Sequence, residues 1–405
     1  MAEAHRVSPT TASVPAEPST GGALTGLRDR FPGLRDGWAR LDGPAGTQMV
    51  DASIDAMAEF MRSGDNANHG GGAFRAAVAT DELTLAARDA VGRFLGGTPD
   101  GVAFGPSMSA LTMRFAAAVG RTLGPGDEIV CTRLDHDANV APWLIAAERA
   151  GATVRFADPE PETLELPAGA VEAVLGERTR WVAVTAASNA VGTVPDLPGI
   201  VAAAHAAGGR VYVDAVHAAP HRPLDIEGLG ADALACSAYK WFGPHVGILW
   251  GRPELLAELR PDKLRPSPDE GPDRWELGTL PFEGLAGVRA AAEFMLSLDR
   301  DALRAHEDAL LAQMLDGLRG IDGVTVHGAA RDRAPTVMFT VDGRTPLEVA
   351  RALAADEVAV WHGNYYAVEL ARHLGLEPHG GVRAGAVAYT DEDDVRRLVE
   401  AVSRL

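Results

Sequence analysis

Lysine is almost absent from this chain: Lys240 and Lys263 are its only two, and arginine supplies nearly all the positive charge. Lys240 stands in Ser237-Ala238-Tyr239-Lys240-Trp241-Phe242-Gly243-Pro244, between the apolar runs Ala233-Leu234-Ala235-Cys236 and Val246-Gly247-Ile248-Leu249-Trp250. That spacing predicts a tight connection between two buried strands. An amine held there can form a Schiff base, which an arginine cannot do because its guanidinium does not deprotonate. A bare lysine is far more often a solvated surface residue. The residues that accompany it decide between the two readings.

Asp214 ends the run Arg210-Val211-Tyr212-Val213, about one strand-plus-crossover ahead of the lysine. A carboxylate at the carboxyl end of a strand can keep a pyridinium nitrogen protonated, although the same residue type also caps helices. His136, in Leu134-Asp135-His136-Asp137-Ala138-Asn139, follows a strand ending at Cys131. An imidazole there can stack on an aromatic ring and move protons, or simply face solvent. Ser107-Met108-Ser109 opens a helix after Val102-Ala103-Phe104-Gly105-Pro106. The free backbone N–H groups at such a helix start suit a phosphate, and Ser237 offers a hydroxyl to the same group. A Schiff-base lysine, a strand-end carboxylate and a phosphate cradle together match the needs of pyridoxal 5′-phosphate (PLP).

The elements that must position these residues read as α/β. Strands are expected at Glu128-Cys131, Val154-Ala157, Trp181-Thr185, Arg210-Asp214, Ala233-Ser237 and Val246-Trp250. Alanine-rich helical stretches at 82–95, 108–122, 141–150 and 198–207 separate several of them, which predicts a mostly parallel sheet with ligands at the strands' carboxyl ends. Residues 285–320 read as helices. Beyond them an α+β pattern runs through Val324-Val326, Thr336-Thr340, a helix at 346–354, Val358-Trp361, a helix at 366–374, Gly381-Ala388 and a helix at 391–404. The expected organisation is a disordered tail over 1–22, a large domain over 23–285 whose first segment contributes to the small one, and a small C-terminal domain over 286–405.

The 405 residues are 46% apolar with a net charge of −19, which argues against nucleic acid as a partner. The two cysteines, Cys131 and Cys236, sit in apolar runs, so neither a disulfide framework nor zinc spacing is present and no metal is expected. No apolar run is long enough to span a membrane, and no secretory signal stands at the N-terminus. The expectation is a cytoplasmic enzyme.

Taken as a set, these segments resemble the class V aminotransferase group of fold-type I PLP enzymes, in particular its cysteine desulfurase-like branch, from about Leu41 to the C-terminus. Asp214-Ala215-Val216-His217-Ala218-Ala219-Pro220-His221 and Ser237-Ala238-Tyr239-Lys240 carry the strongest match. The desulfurases have Gln where this chain has His217, and His where it has Tyr239. The resemblance implies a large domain with a mostly parallel seven-stranded sheet plus a small α+β domain. It implies PLP bound by Lys240, Asp214, His217, His136, Ser107, Met108, Asn189, Ser237 and Thr279. Asn189, in Ser188-Asn189-Ala190-Val191-Gly192-Thr193, would contact cofactor and substrate. Thr279, in Glu276-Leu277-Gly278-Thr279, would reach the phosphate of the neighbouring subunit in a homodimer. Arg383, in Val382-Arg383-Ala384, would clamp the α-carboxylate of an amino acid.

One departure bears on the reaction. The desulfurases carry a persulfide-forming cysteine in the segment that corresponds to Trp361-His362-Gly363-Asn364-Tyr365-Tyr366-Ala367, and that position is Tyr366 here. A phenol cannot accept sulfur. The reading is therefore a lyase acting on a cysteine-derived or other β-substituted L-α-amino acid, with Lys240, His136 and Tyr366 as its catalytic residues. His69, in a Gly-rich loop, and Asn364, Tyr365 and His362 would line the substrate. Transamination, epimerisation, aspartate-type β-decarboxylation and a non-catalytic PLP-binding protein remain as alternatives, since one fold hosts all of them.

Overall fold

The computed structural model describes residues 24–405; the tail 1–22, read as disordered, lies outside the described residues. In chain order the strands are β1 (Ala39–Arg40), β2 (Val102–Gly105), β3 (Glu128–Thr132), β4 (Thr153–Ala157), β5 (Thr179–Thr185), β6 (Arg210–Asp214), β7 (Ala233–Ser237) and β8 (Gly247–Gly251), then β9 (Val324–His327), β10 (Thr336–Val341), β11 (Val358–Ala359), β12 (Trp361–Gly363) and β13 (Gly381–Gly385). Seven of them form one sheet in the order β2-β8-β7-β6-β5-β3-β4. Only β8 runs against the rest, pairing antiparallel with both β2 and β7.

The central strands are short and apolar on both faces because helices cover both. Val211 and Val213 of β6 join one apolar cluster with Val182, Val184, Leu234 and Ile248. Tyr212, between them, joins the other with Trp181, Phe115 and Trp143. Such a strand reads as a continuous apolar run rather than an alternating one. The edge strand β4 alternates exposed and half-buried positions instead. Helices such as Arg75–Leu95 and Ala141–Ala150 end on Gly96 and Gly151, both in the left-handed conformation that glycine adopts without a Cβ penalty.

The C-terminal part builds a second sheet, β12-β13-β10-β9, around a third cluster that includes Met314, Phe339, Val382 and Leu398. The N-terminal segment reaches it: β1 pairs in parallel with β11, and Asp42 bridges to Gly385 of β13.

Two local expectations change. The stretch read as one strand over Val358-Trp361 is two strands in different sheets. The helix expected over 366–374 is Val368–His373, because Tyr365 (φ 55°) and Tyr366 (φ 60°) adopt left-handed backbone that cannot continue a right-handed helix.

Candidate active site

Lys240 closes a short 3-10 turn, Ala238–Lys240, directly after β7. The chain then reverses through Phe242, whose φ of 70° lies in the left-handed region, and returns as β8. Lys240 is 7% exposed. Its Nζ donates to the Pro44 carbonyl and lies 5.2 Å from the Tyr239 ring centroid. Burial, reinforced by the Arg383 cation and opposed by Asp214, pulls the amine down to about 7. Near neutral pH a large fraction is thus unprotonated and nucleophilic. Asp214, at the end of β6, is buried and accepts a hydrogen bond from the Val216 N–H at 2.9 Å. Burial raises its carboxyl to about 6.

Both face a cavity of about 490 Å³ at the carboxyl ends of the parallel strands, where an open α/β sheet places its ligands. His136 and His217 line it with Met108, Ser107 and Ser237. The Nδ1 of His136 accepts from the Ala138 N–H at 2.9 Å, which leaves Nε2 for a ligand. Burial and the two nearby cations lower His136 to about 4, so its ring is neutral. Beneath it, Asp135 accepts from Asn139 at 2.7 Å and is raised to about 8 by burial. His217 bonds Thr336 Oγ1 at 2.9 Å, tying the large-domain loop to β10. Ser107 caps the helix Met108–Gly120 by accepting from Ala110 N at 3.1 Å. The helix start and β8 meet closely: a Cβ on Gly247 would lie 2.2 Å from the Ser107 carbonyl carbon and 2.5 Å from the Met108 nitrogen. Only glycine fits there.

The opposite wall comes from the second sheet. Arg383 on β13 is 5% exposed; its Nη1 donates to the Asn189 carbonyl at 2.8 Å, and its guanidinium lies 4.3 Å from the Tyr365 ring centroid. Burial lowers it to about 10, which still leaves it charged at neutral pH. Asn189 Nδ2 donates to the Tyr365 carbonyl at 2.9 Å. Tyr366 is 69% exposed, and its ring stacks on His136 with centroids 5.3 Å apart and planes 27° from parallel. Two consecutive tyrosines in left-handed backbone cost roughly 1–3 kcal/mol each, a strain that persists only where surrounding contacts hold it. Here those contacts are the Asp137 N–H to the Tyr366 carbonyl at 2.7 Å, and Tyr366 N to Asn364 Oδ1 at 3.1 Å. Asn364 itself is anchored to Glu377 at 2.9 Å. His362 and the half-exposed Trp361 form the rim.

Two of the residues singled out from sequence lie elsewhere in the single chain. His69 and Thr279 line a separate cavity of about 610 Å³ with Asp81 and Arg88. The Asp81 carboxylate takes N–H bonds from Gly70, Gly71 and Gly72, and His69 packs edge-on to Phe282 at 5.5 Å. These contacts hold the Gly-rich loop away from the Lys240 cavity. Glu276 is occupied by Arg88 and the Phe104 N–H, both at 2.9 Å. Sequence reasoning missed Pro44 and Ala45, which wall the cavity beside Lys240, and Asp42, whose negative charge acts on Arg383. Their signal is faint: a short loop far from every other motif.

The residues present fit PLP. A buried amine with a lowered pKa, a buried carboxylate and a neutral imidazole face one space, and a helix N-terminus and three serines, Ser107, Ser109 and Ser237, border it. Asn189 Oδ1 and Arg383 Nε are buried without a partner among the described residues, as polar atoms at a ligand site are. No group of three or more metal-ligating side chains occurs among the described residues, and no helix there is long and apolar enough to cross a membrane.

The family profile "Aminotransferase class-V" matches residues 39–398. The chain is 33% identical to a probable cysteine desulfurase of Mycolicibacterium paratuberculosis, over 94% of this chain and 58% of that protein. It is 30% identical to a cysteine desulfurase of Pectobacterium atrosepticum, over 91% of this chain and 93% of that one. The crystal structure of the Escherichia coli cysteine desulfurase CsdA superposes with a TM-score of 0.84 at 27% identity, covering 94% of this chain and 98% of that chain. The chain spans about three fifths of the length of two of its curated relatives, 58% and 61%. It belongs to the class-V aminotransferase family, in its cysteine desulfurase-like branch, whose fold is that of the fold-type I enzymes and whose cofactor is pyridoxal 5′-phosphate.

Proposed function

We propose that the chain catalyses β-elimination on a cysteine-derived or other β-substituted L-α-amino acid, and that the departing sulfur group never becomes an enzyme persulfide. One observation carries this reading: no thiol lines the cavity. Cys131 and Cys236 are fully buried within β3 and β7, where burial pushes Cys131 well up and Cys236 to about 12. Such thiols do not react. The exposed position at the mouth is Tyr366, which cannot receive sulfur.

When bound, the cofactor supplies an aldehyde for the Lys240 amine and an electron-withdrawing ring beside the substrate Cα. Asp214 would hold the ring nitrogen protonated, His136 would cover one face of the ring, and His217 and Asn189 would meet its polar edge. Ser107, Met108 and Ser237 would receive the phosphate at the helix start, where free N–H groups favour an anion. Arg383, with Asn189, would orient the substrate by its α-carboxylate. Lys240 Nζ, pulled down to about 7 and so partly neutral at neutral pH, would take the Cα proton, as a general base with a matched pKa does. His362, Asn364, Tyr365 and Tyr366 would shape the Cβ side, and Tyr366 beside His136 would donate a proton to the leaving group. Loss of the Cα proton and the Cβ–S bond yields a sulfur species and an enamine that hydrolyses to pyruvate and ammonia. A homodimer belongs to the same proposal, with Thr279 and His69 brought to the site by the second copy.

Incubation of the PLP-loaded protein with cysteine, its S-conjugates and sulfoxides, and aspartate tests the reading. Pyruvate and ammonia in equal amounts from a sulfur substrate are the expected result. A keto acid with aminated cofactor, or alanine from aspartate, would replace elimination by transamination or decarboxylation. Tyr366→Cys sharpens the test: sulfur transfer to a dithiol acceptor is expected only in that variant. Transfer by the unaltered chain would overturn the persulfide-free reading.

A further inference from the structure

Arg383 is held by a closed circuit rather than by one contact. Its Nη1 donates to the carbonyl of Asn189, the Asn189 side chain donates to the carbonyl of Tyr365, and the Tyr365 ring lies against the guanidinium at 4.3 Å. The Tyr365 hydroxyl then donates to the carbonyl of Gly381, two residues before Arg383 on β13. Three chain segments distant in sequence thus fix one side chain, and Tyr365 touches both of the others. Its φ of 55° is what turns the ring toward Arg383 while the next residue's ring goes to His136. Among the described residues only Nη1 of the guanidinium has a protein acceptor, and no carboxylate bonds it. Asp42 acts on it only at longer range. A buried cation without a bonded anion is costly, and an aromatic face offsets part of that cost without consuming the N–H donors a ligand needs.

We infer that Tyr365 is a positioning residue and a determinant of specificity: by stacking on Arg383 and closing its circuit with Asn189, it pre-orients the guanidinium for a substrate carboxylate. The inference rests on the reading of Arg383 as the carboxylate clamp. The chemistry that Tyr365 selects is an α-amino acid over the corresponding amine. Holding the fork in one plane means that little freedom is lost when the carboxylate arrives. The hydroxyl, spent on the Gly381 carbonyl, takes no part in proton transfer.

The test uses the PLP-loaded protein and the change in its visible spectrum on titration with cysteine and with cysteamine, which lacks the carboxylate. The unaltered protein is expected to prefer cysteine. In Tyr365→Leu the dissociation constant for cysteine is expected to rise about tenfold, the scale of a desolvated cation–π contact, while that for cysteamine stays within about twofold, since the amine alone does not use Arg383. Tyr365→Phe, which keeps the ring, is expected to retain most of the preference. Tyr365→Met, which fills the volume without a ring, replaces the leucine variant should that one not fold. Equal weakening of both ligands would overturn the inference, because it would mark general damage to the cavity. So would a preference unchanged in the ringless variants while Arg383→Lys abolishes it; the clamp reading would then survive alone. If the unaltered protein does not distinguish the two ligands, the clamp reading falls and the inference with it.

Discussion

Two cavities of this chain, the one around Lys240 and the one around His69 and Thr279, differ in how their charged groups are held. Around Lys240 the ionisable groups are deeply buried and shifted: the lysine down to about 7, Asp214 up to about 6 and His136 down to about 4. Strand ends on one side and β12, β13 and their loop on the other enclose them. Around His69 and Thr279 the charges are paired internally, Arg88 with Asp273 and Glu276, and Asp81 with three glycine N–H groups. Thr279 itself is exposed, and Leu85, Leu264 and Leu277 stand 60–64% exposed nearby. Burial also raises Glu276 to about 7, but its carboxylate is paired with Arg88, whereas Lys240, Asp214 and His136 make no ion pair among the described residues. Internally paired charges with exposed apolar side chains beside them form a face of the kind that the proposed homodimer would cover.

The contrast is broken most severely by Lys240→Ala. Turnover should fall by at least about a thousandfold, with covalent cofactor retention lost, because base and Schiff-base functions go together. Retained turnover in a coupled pyruvate assay would remove the lysine from the reaction. Arg383→Ala should raise the KM for the amino acid by about ten- to a hundredfold, the scale of a charged hydrogen-bonded contact, with a smaller effect on cofactor affinity. Equal effects on both would mean that the arginine serves the cofactor.

The pH dependence follows from the sign of the lysine's shift. Below about 7 the Lys240 amine is protonated and does not attack an aldehyde; above it the amine is neutral. Cofactor uptake by the cofactor-free protein should therefore be about tenfold slower at pH 6 than at pH 8, and flat above that. A rate still climbing beyond pH 9 would show an amine unaltered by burial and by Arg383. The smallest effect belongs to the second cavity. If the proposed homodimer forms, Thr279→Ala should weaken PLP binding by about three- to tenfold, as loss of one hydrogen bond does, measured by equilibrium dialysis over a range of protein concentrations. An effect that persists in dilute, monomeric protein would place Thr279's contribution within its own chain.

Much of the first cavity was legible because its groups sit in short local motifs. Asp214 ends a strand, Ser107 opens a helix and Lys240 follows β7, so one segment each reveals type and place. The circuit through Tyr365 was not legible. It joins Asn189, Tyr365 and Gly381 across long stretches of chain, and it depends on left-handed backbone that tyrosine ordinarily avoids. The helix expected from Tyr366 onward starts later, at Val368, for that same reason. Apolar periodicity reports which face is buried, and it is blind to a two-residue turn held by tertiary contacts.

By itself, then, the sequence determined the α/β alternation, the placing of Lys240, Asp214 and His136 at or just after strand ends, and the tyrosine at position 366. Each of these is a matter of residue type at a local position. Only the tertiary structure decided that Arg383 and Asn189 share one circuit, that Tyr366 covers His136, and that His69 and Thr279 stand apart from Lys240 in the single chain. The physical reason is that those relations lie between segments. Packing of the second sheet against the strand ends, not the pattern of any one element, sets which side chains meet.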